Sequence, residues 1–461
     1  MGIPATGELA AGGVAPTRAP GPTAWNPFWF LTEFRRDPLG FVARLQRDHG
    51  DVVRLGRRPL ENYVIFHPTD IRRVLQDNNQ NYEKGAIIAR TKILIGEGLF
   101  TSEGDFWRRQ RRLAQPAFHH RQIAGFIGTM ANAAEGMLRR WQGLSARGDT
   151  FDLAAEMSRV TLAVVGRTLF SLDLDAEAAT VGAALREALV YTNRRTTLYL
   201  PLPLFVPTTS NRRFKSARRT LDRVAYDIIE TRRRSATSGD DLLGMLMDAR
   251  DPDTGKGMSD RHLRDEVMTF LLAGHETTAV TLAWTFYLLA RNPHAEARVR
   301  EEVDRVLGGR TPTIDDLPKL AYTRMVIEEA MRLYPPVPGI GRQTIGPDVL
   351  GGYAIPPRTL VSIMVWVVHR HPEFWDTPER FDPERFTPAR AAGRPRFAYL
   401  PFSGGPRLCI GSEFALFEAQ VIVAMIMQRH QVRLAAEREI EPEMALTTRP
   451  RGGVPVRLAA R

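Results

Sequence analysis

The sequence predicts a single-domain protein that is mainly α-helical, with small β-sheets at the periphery. Helical periodicity covers most of the chain between residues 104 and 333. One segment, from Ser259 to Arg291, is long enough to form a central helix, whereas the β-rich runs are short. We expect residues 1–24 to be a flexible leader and residues 25–461 to form one domain.

Composition narrows the functional classes. The chain has 461 residues, of which 43% are hydrophobic and 25% charged, as in globular proteins with a sizeable core. A single cysteine excludes an intrachain disulfide and favours a reducing, cytoplasmic setting. The net charge of +11 is spread over many predicted helices without a zinc-finger or RNP motif, which argues against nucleic-acid binding.

No segment predicts a signal peptide or a membrane anchor. The first 27 residues lack a basic region followed by an apolar one. The most apolar long segment, Val267 to Ala290, contains His275 and Glu276, so we expect a buried helix there rather than a membrane span.

The N-terminal region predicts short helices followed by a hairpin. Trp25 to Gly50 has the pattern of short helices. The β-rich runs Asp51–Leu55 and Asn62–Phe66 are separated by glycine and proline, which is typical of a hairpin. A helix is expected from Thr69 to Asn78, capped by Thr69 or Asp70.

The middle of the chain is a series of helices. Its longest helix begins after Ser259, a good N-cap, and ends where Asn292 and Pro293 interrupt the pattern. At 1.5 Å per residue it is about 45 to 50 Å long. The other predicted helices span Gly104–Arg140 with a break at Pro116, Leu153–Phe170, Ala176–Tyr191, Asn211–Arg234, Pro293–Leu307 and Tyr322–Leu333.

The C-terminal third mixes strands with irregular structure. We expect β-strands around Tyr353–Ile355 and over Leu360–Val368, followed by a proline-rich irregular region from Pro372 to Pro401. A helix then runs to about His430. Two tail segments, residues 432–434 and 455–458, predict paired strands.

Cys409 lies in the stretch Phe402-Ser-Gly-Gly-Pro-Arg-Leu-Cys-Ile-Gly411, directly before a predicted helix. Glycines there allow backbone N–H groups to turn toward the sulfur, and a helix N-terminus favours an anion, so we expect a stabilised thiolate. The alternative is that Cys409 is a small buried apolar residue.

The pattern Phe402-x-x-Gly405-x-Arg407-x-Cys409-x-Gly411 resembles the haem-binding loop of the cytochrome P-450 family at every specified position. The resemblance implies that Cys409 is the axial thiolate of iron in haem b (iron protoporphyrin IX) and that this loop lies against the cofactor. It also implies the mainly α fold of that family, with a long helix crossing the haem.

The long helix contains Ala273-Gly-His-Glu-Thr-Thr278. Gly274 costs about 1 kcal/mol relative to alanine within a helix, which suggests that the backbone opens or a ligand approaches. The segment resembles the family's oxygen-activation motif, which implies that Ala273 contacts the haem, Thr277 binds oxygen and Glu276 helps to deliver protons. The alternative is a core helix bent by the threonine hydroxyl.

Two further segments carry the resemblance. Glu329-Ala-Met-Arg332 and Phe381-Asp-Pro-Glu-Arg-Phe386 resemble the family's ExxR helix and PERF segment. They imply a buried structural triad of Glu329, Arg332 and Arg385, whereas an isolated ExxR pair is usually a solvated ion pair.

Haem carries two propionates, which arginine neutralises well. Trp107-x-x-x-Arg111 resembles the family's propionate-binding helix, and Arg407 and Arg342 are further candidates. The alternatives are a core tryptophan and solvated arginines.

An apolar substrate pocket is implied as well, although core packing explains each of its residues equally well. The candidates are Ile87, Ile88, Ile93, Leu272, Ala273, Val337, Ile340 and Leu446.

These resemblances imply a monooxygenase that uses O2 to hydroxylate or epoxidise a hydrophobic small molecule, and the Ala/Arg-rich composition without an anchor suggests a bacterial protein. No flavin or iron–sulfur motif is present, so electrons come from a ferredoxin or flavodoxin with an NAD(P)H reductase. Arg108, Arg109 and Arg112 form a docking face for this partner or a merely solvated face. Two alternatives are a peroxide-driven peroxygenase and a haem-thiolate gas or redox sensor.

Overall fold

The computed structural model describes residues 18–22, 27–56, 61–173, 178–197, 202–234, 241–250 and 255–460. Most of the predicted leader lies outside these ranges, so the domain boundary stays a prediction. The α-helices are α1 (Pro27–Arg36), α2 (Pro38–His49), α3 (Pro68–Arg72), α4 (Gly85–Ala89), α5 (Lys92–Ile95), α6 (Gly104–Ala114), α7 (His120–Arg147), α8 (Leu153–Leu169), α9 (Ala178–Thr197), α10 (Thr209–Arg234), α11 (Leu242–Asp248), α12 (Asp260–Arg291), α13 (Pro293–Leu307), α14 (Ala321–Leu333), α15 (Val365–Val368), α16 (Pro388–Ala391) and α17 (Ser412–Arg429).

The β-strands are short and form four small sheets within the described ranges. They are β1 (Val52–Leu55), β2 (Asn62–Ile65), β3 (Tyr82–Glu83), β4 (Phe151–Asp152), β5 (Ile340–Thr344), β6 (Asp348–Leu350), β7 (Tyr353–Ile355), β8 (Leu360–Ile363), β9 (His430–Leu434), β10 (Pro442–Met444), β11 (Thr448–Pro450) and β12 (Pro455–Ala460). Helices dominate, which confirms the predicted fold class.

The long helix α12 crosses the main core and has the predicted ends. The hydroxyl of Ser259 accepts a hydrogen bond from the N–H of His262 at 3.3 Å, and Pro293 starts the next helix after Asn292. Most side chains of α12 are buried, and the helix packs against α8, α10, α14 and α17. It therefore serves as the spine of the fold.

The largest sheet has the strand order β1-β2-β8-β5-β3. The predicted N-terminal hairpin is confirmed, because β1 and β2 are antiparallel with Val52 opposite Ile65. The predicted tail pairing is also confirmed, since β9 and β12 are antiparallel with Val456 opposite Leu434. Strands β10 and β11 form a separate hairpin.

Two local predictions were wrong. The helix expected from Thr69 begins at Pro68, with His67 rather than Thr69 or Asp70 as its N-cap, and it continues as a π-helix over Arg73–Asp77. The strand expected over Leu360–Val368 ends at Ile363, and Val365–Val368 form one helical turn. Val365, Val367 and Val368 are buried there, so tertiary packing overrides the β-propensity of valine.

Packing separates the helical core from the sheet. The main hydrophobic cluster surrounds α12, and a second cluster lies under the five-stranded sheet. Among the described residues, no helix combines the length and the apolar character that a bilayer crossing requires.

Candidate active site

A cavity of about 410 Å³ lies between α12, α17, β5, the cysteine loop and the turn before β11. Its wall contains most of the residues that the sequence singles out. These are Ile88, Trp107, Arg111, Leu272, Ala273, Glu276, Thr277, Val337, Ile340, Arg342, Phe402, Arg407, Cys409, Gly411 and Leu446.

Two candidates for the substrate pocket are not placed in this wall. Ile93 is half-buried against the main core, while its neighbours Leu94 and Ile95 line the cavity instead. In a one-turn helix such as α5, adjacent side chains point in different directions, so periodicity could not select between them. The side chain of Ile87 lies outside the described part of the structure.

The cysteine loop is held by its backbone. The N–H of Cys409 donates to the carbonyl of Phe402 at 3.0 Å, and the N–H of Leu408 donates to that of Gly405 at 3.0 Å. Gly405 has a φ of +65°, and a Cβ there would lie 1.8 Å from the carbonyl oxygen of Leu75. Glycine at position 405 therefore allows the loop to pack against the backbone in the middle of the π-helix.

The Cys409 side chain is exposed, and the space it faces is this internal cavity. Burial within the protein raises the pKa of the thiol, while the N–H of Gly411 and the charge of Arg111 oppose this shift. Desolvation outweighs these nearby donors, so the loop on its own does not account for a stabilised thiolate, and the role of Cys409 as a ligand stays a prediction. A metal ion would supply the missing stabilisation, since metal coordination deprotonates thiols.

Four cationic side chains line the same cavity: Lys84, Arg111, Arg342 and Arg407. Burial lowers the pKa of each of them, to about 10 for Arg342 and Arg407 and well below its usual value for Lys84. The charged forms thus lack the solvation that water would give.

Most of the hydrogen bonds of these four side chains go to backbone carbonyls. Arg111 donates to Leu408 at 2.9 Å, Arg342 donates to Gly341 at 2.8 Å, and Lys84 donates to Phe100. Arg407 donates to the carbonyl of Ser102 and to the carboxylate of Glu103, and its guanidinium lies 3.8 Å from the centre of the Trp107 ring.

This charge distribution fits a dianionic ligand. Among the described residues, Glu103 is the one carboxylate in contact with any of these four side chains, and it pairs with Arg407 alone, so the cluster retains an excess of positive charge. Two propionates would balance the excess, and the sulfur of Cys409 lies in the same wall. The residues present therefore fit haem. Lys84 and Glu103 were missed by sequence reasoning, because no motif includes them.

The central part of α12 contributes Ala273, Gly274, Glu276 and Thr277 to the wall. The hydroxyl of Thr277 donates to the carbonyl of Ala273 at 2.6 Å. A Cβ on Gly274 would lie 2.8 Å from a methyl group of Val165 on α8. The absence of a side chain at Gly274 thus has a packing cause, the close approach of α8, besides its place in the cavity wall.

Glu276 is bound to the β10–β11 hairpin. One of its carboxylate oxygens, Oε1, accepts hydrogen bonds from Thr447 Oγ1 at 2.9 Å and from Arg449 Nε at 2.5 Å. Sequence reasoning missed both partners, because they are more than 170 residues away in the chain.

Glu329, Arg332 and Arg385 lie together in the protein interior. Glu329 accepts two hydrogen bonds from Arg332 at 2.6 and 2.8 Å, and its nearest atom pair with Arg385 is 3.4 Å apart. Arg332 also donates to the carbonyls of His369, Pro378 and Arg380. None of the three lines the cavity, so they tie α14 to the irregular region.

Acidic residues near the start of α12 hold the loop after α5, which forms part of the cavity wall. The N–H of Glu97 donates to Asp265 at 2.8 Å, and the N–H of Leu99 donates to Glu266 at 3.1 Å. Arg264 donates to the carbonyl of Leu94 at 2.8 Å. Leu94 and Leu99 both line the cavity, so these bonds position its wall.

Comparisons with known proteins agree with this geometry. The sequence profile described as Cytochrome P-450 matches residues 16–454. The chain is 40% identical to cyclooctat-9-en-7-ol 5-monooxygenase of Streptomyces melanosporofaciens, over 86% of each chain. It is 36% identical to pentalenene oxygenase of Streptomyces avermitilis, over 93% of this chain and 94% of the other. The crystal structure of the cytochrome P450DA heme domain superposes with a TM-score of 0.88 at 28% identity, covering 96% of this chain and 98% of that one.

Proposed function

The chain belongs to the cytochrome P-450 family of monooxygenases, and on this premise we propose that Cys409 is the thiolate ligand of a bound haem b. The observation that carries the proposal is the cavity wall, in which the one cysteine of the chain and four buried or half-buried cations surround a common space. Arg111, Arg342, Arg407 and Lys84 would hold the propionates, and Trp107 would pack beside them.

When bound, the haem supplies the activation of O2 and the insertion of one oxygen atom into the substrate. The apolar wall formed by residues such as Leu272, Val337, Ile340 and Leu446 binds a hydrophobic molecule and excludes water. The second oxygen atom leaves as water, which requires two electrons and two protons from outside the substrate.

Thr277 and Glu276 are the groups we assign to proton supply. The Thr277 hydroxyl lies in the wall and must rotate out of its hydrogen bond to Ala273 before it can donate into the cavity. Glu276, one residue before it, provides a carboxylate that exchanges protons with water.

We propose an unsaturated, mostly hydrocarbon substrate of the terpenoid class. The support is the apolar wall together with the relatives, whose names give cyclooctat-9-en-7-ol and pentalenene as the molecules they act on. Electrons would come from a ferredoxin or flavodoxin, and the exposed Arg108 and Arg112 on α6 offer this acidic partner a basic surface. A free cysteine fits a cytoplasmic enzyme.

Reconstitution tests the proposal. The haem-loaded protein is combined with a ferredoxin, its reductase and NAD(P)H, and a panel of terpenoid hydrocarbons and alcohols is screened first by the spin-state shift of the haem. We expect an oxygenated product that requires both O2 and NAD(P)H. Product formed only with added peroxide would indicate a peroxygenase, and ligand binding without any product would indicate a sensor.

A further inference from the structure

Glu276, the residue that we assign to proton supply, belongs to α12, but its carboxylate is hydrogen-bonded to residues of the β10–β11 hairpin. Both hydrogen bonds that it accepts end on Oε1, and both come from the turn and strand at β11, namely Thr447 and Arg449. Within the described ranges, the other oxygen, Oε2, accepts no hydrogen bond. The carboxylate is therefore fixed at one oxygen and open at the other.

The partner strand is itself firmly placed. Thr448, between the two partners, is completely buried, and its carbonyl accepts a hydrogen bond from Trp284 on α12 at 2.8 Å. Its N–H and hydroxyl donate to the carbonyls of Pro336 and Pro335 at 3.0 and 2.6 Å. Arg449 thus extends from a backbone that is fixed both to α12 and to the segment leading into β5.

Solvent is largely excluded from the ion pair. The side chains of Glu276 and Arg449 are 13% and 21% exposed, whereas Arg451 and Glu441, which pair at 2.8 Å in the same hairpin region, are 59% and 68% exposed. Coulombic attraction is weakly screened in the first pair and strongly screened in the second. The first pair can therefore define a side-chain position, while the second contributes little.

We propose that Arg449, together with Thr447, positions the Glu276 carboxylate for proton supply beside Thr277. This role rests on the proposed monooxygenase function. Arg449 orients the carboxylate through Oε1 and leaves Oε2 for a water molecule that carries the proton. Because Thr447 and Leu446 also line the cavity, the turn that contacts the substrate is the turn that holds the acid.

The test compares Arg449→Met with Arg449→Lys and with the matched control Arg451→Met. In the reconstituted haem-loaded protein we measure product formed per NAD(P)H, peroxide released and the substrate Kd from the spin-state shift. Arg449→Met is expected to lower product per NAD(P)H by roughly tenfold or more, because small displacements of catalytic groups have effects of this order. The Kd stays within about twofold, Arg449→Lys recovers part of the loss, and Arg451→Met behaves as wild type.

A double variant separates positioning from a merely structural effect. If Arg449 acts through Glu276, Glu276→Gln combined with Arg449→Met is no worse coupled than Glu276→Gln alone. Additive losses, unchanged coupling in Arg449→Met, or a loss that follows haem content would each overturn the inference.

A crystal structure of haem-loaded Arg449→Met supplies a readout that does not depend on turnover. The Glu276 carboxylate should leave its wild-type position or occupy more than one. If wild type forms no product, the proposed function fails while this structure still decides the inference. A carboxylate that stays in place would refute the positioning role.

Discussion

At the residue scale, the site is defined by partly or fully buried cationic side chains that have few anionic partners within the described protein. Lys84 is the extreme case, since burial and the charges of Arg407 and Arg342 lower the pKa of its amine well below the usual value. An amine that is costly to charge in isolation becomes a strong anion ligand once a carboxylate is placed against it. The negative charge of Glu103 opposes the lowering of the Lys84 pKa but does not cancel it.

Lys84→Met is accordingly expected to weaken haem binding. A hydrogen bond to a charged group contributes about 1.5 to 3 kcal/mol, so the haem-loss rate should rise roughly tenfold or more. Transfer of haem to an excess of a scavenger protein measures this rate. Lys92→Met is the control, because Lys92 pairs with Glu97 at 2.9 Å outside the cavity wall. Equal loss rates for both variants would exclude a role for Lys84 in propionate binding.

Thr277 provides a second residue-scale test. Thr277→Ala removes the hydroxyl from the cavity wall, so electrons should be diverted from product to released peroxide, on the order of tenfold. Thr277→Ser should keep most of the coupling. Thr285→Ala removes an equivalent hydroxyl, bonded to the carbonyl of Thr281 at 2.8 Å but outside the wall, and should leave the partition unchanged. Peroxide release is the quantity to assay.

Local motifs predicted much of this site, because their residues are neighbours in the chain. Most residues of the stretch from Phe402 to Gly411 and of the segment from Ala273 to Thr278 line the cavity. The contacts of Glu276 with Thr447 and Arg449 join distant segments, so no spacing pattern reports them. The raised pKa of the Cys409 thiol also depends on burial by the whole fold, which a loop motif does not reveal.

At the element scale, α12 makes different contacts along its length. Near its start, Asp265 and Glu266 accept hydrogen bonds from the loop after α5, and at its centre Ala273 and Thr277 line the cavity. Periodicity and capping predicted the ends of this helix, because those signals are local. Local signals could not predict the helical turn at Val365–Val368, because that conformation depends on how the fold buries its valines.

The Glu266 contact predicts a pH dependence. Burial raises its pKa to about 7, with Asp265 adding to the shift and the N–H of Leu99 opposing it. Because the pKa of Glu266 in the folded protein exceeds its unfolded value of 4.5, the protonated carboxyl favours the folded state. Its contribution to the free energy of unfolding is complete below about pH 4.5 and is lost as the pH rises through about 7. A shift of this size corresponds to about 3 kcal/mol.

Glu266→Gln should therefore flatten the difference in thermal midpoint between pH 5 and pH 8. Glu97→Gln is the control, because Glu97 is exposed and pairs with Lys92 at the surface. An identical pH dependence in wild type and Glu266→Gln would show that the Glu266 carboxyl does not titrate in this range.

At the scale of the whole molecule, buried ionic contacts join the helical core to the irregular region before the cysteine loop. Arg332 and Glu329 are fully buried, and between them they contact α14, the segment around Pro378 and the backbone of Asp382. This network fixes the region from which the cysteine loop emerges. We expect this network to keep the cavity wall in place rather than to act on substrate.

Arg332→Met is expected to destabilise the fold by about 3 to 5 kcal/mol, because the fully buried Glu329 carboxylate loses both hydrogen bonds that it accepts from Arg332. Arg324→Met is the matched control on the same helix. Its pair with Glu328, at 3.1 Å, is partly exposed and should contribute less than about 1 kcal/mol. Chemical denaturation of the haem-loaded proteins measures both values, and a similar loss in the two variants would argue against a special role for Arg332.

X-ray absorption at the iron edge of the purified, haem-loaded protein tests the assignment of Cys409 most directly. We expect one sulfur atom bound to iron, supplied by the single cysteine of the chain, and loss of that sulfur together with the thiolate signature of the ferrous carbonyl spectrum in Cys409→Ala. A wild-type iron without a sulfur neighbour, or an unchanged spectrum in Cys409→Ala, would contradict it.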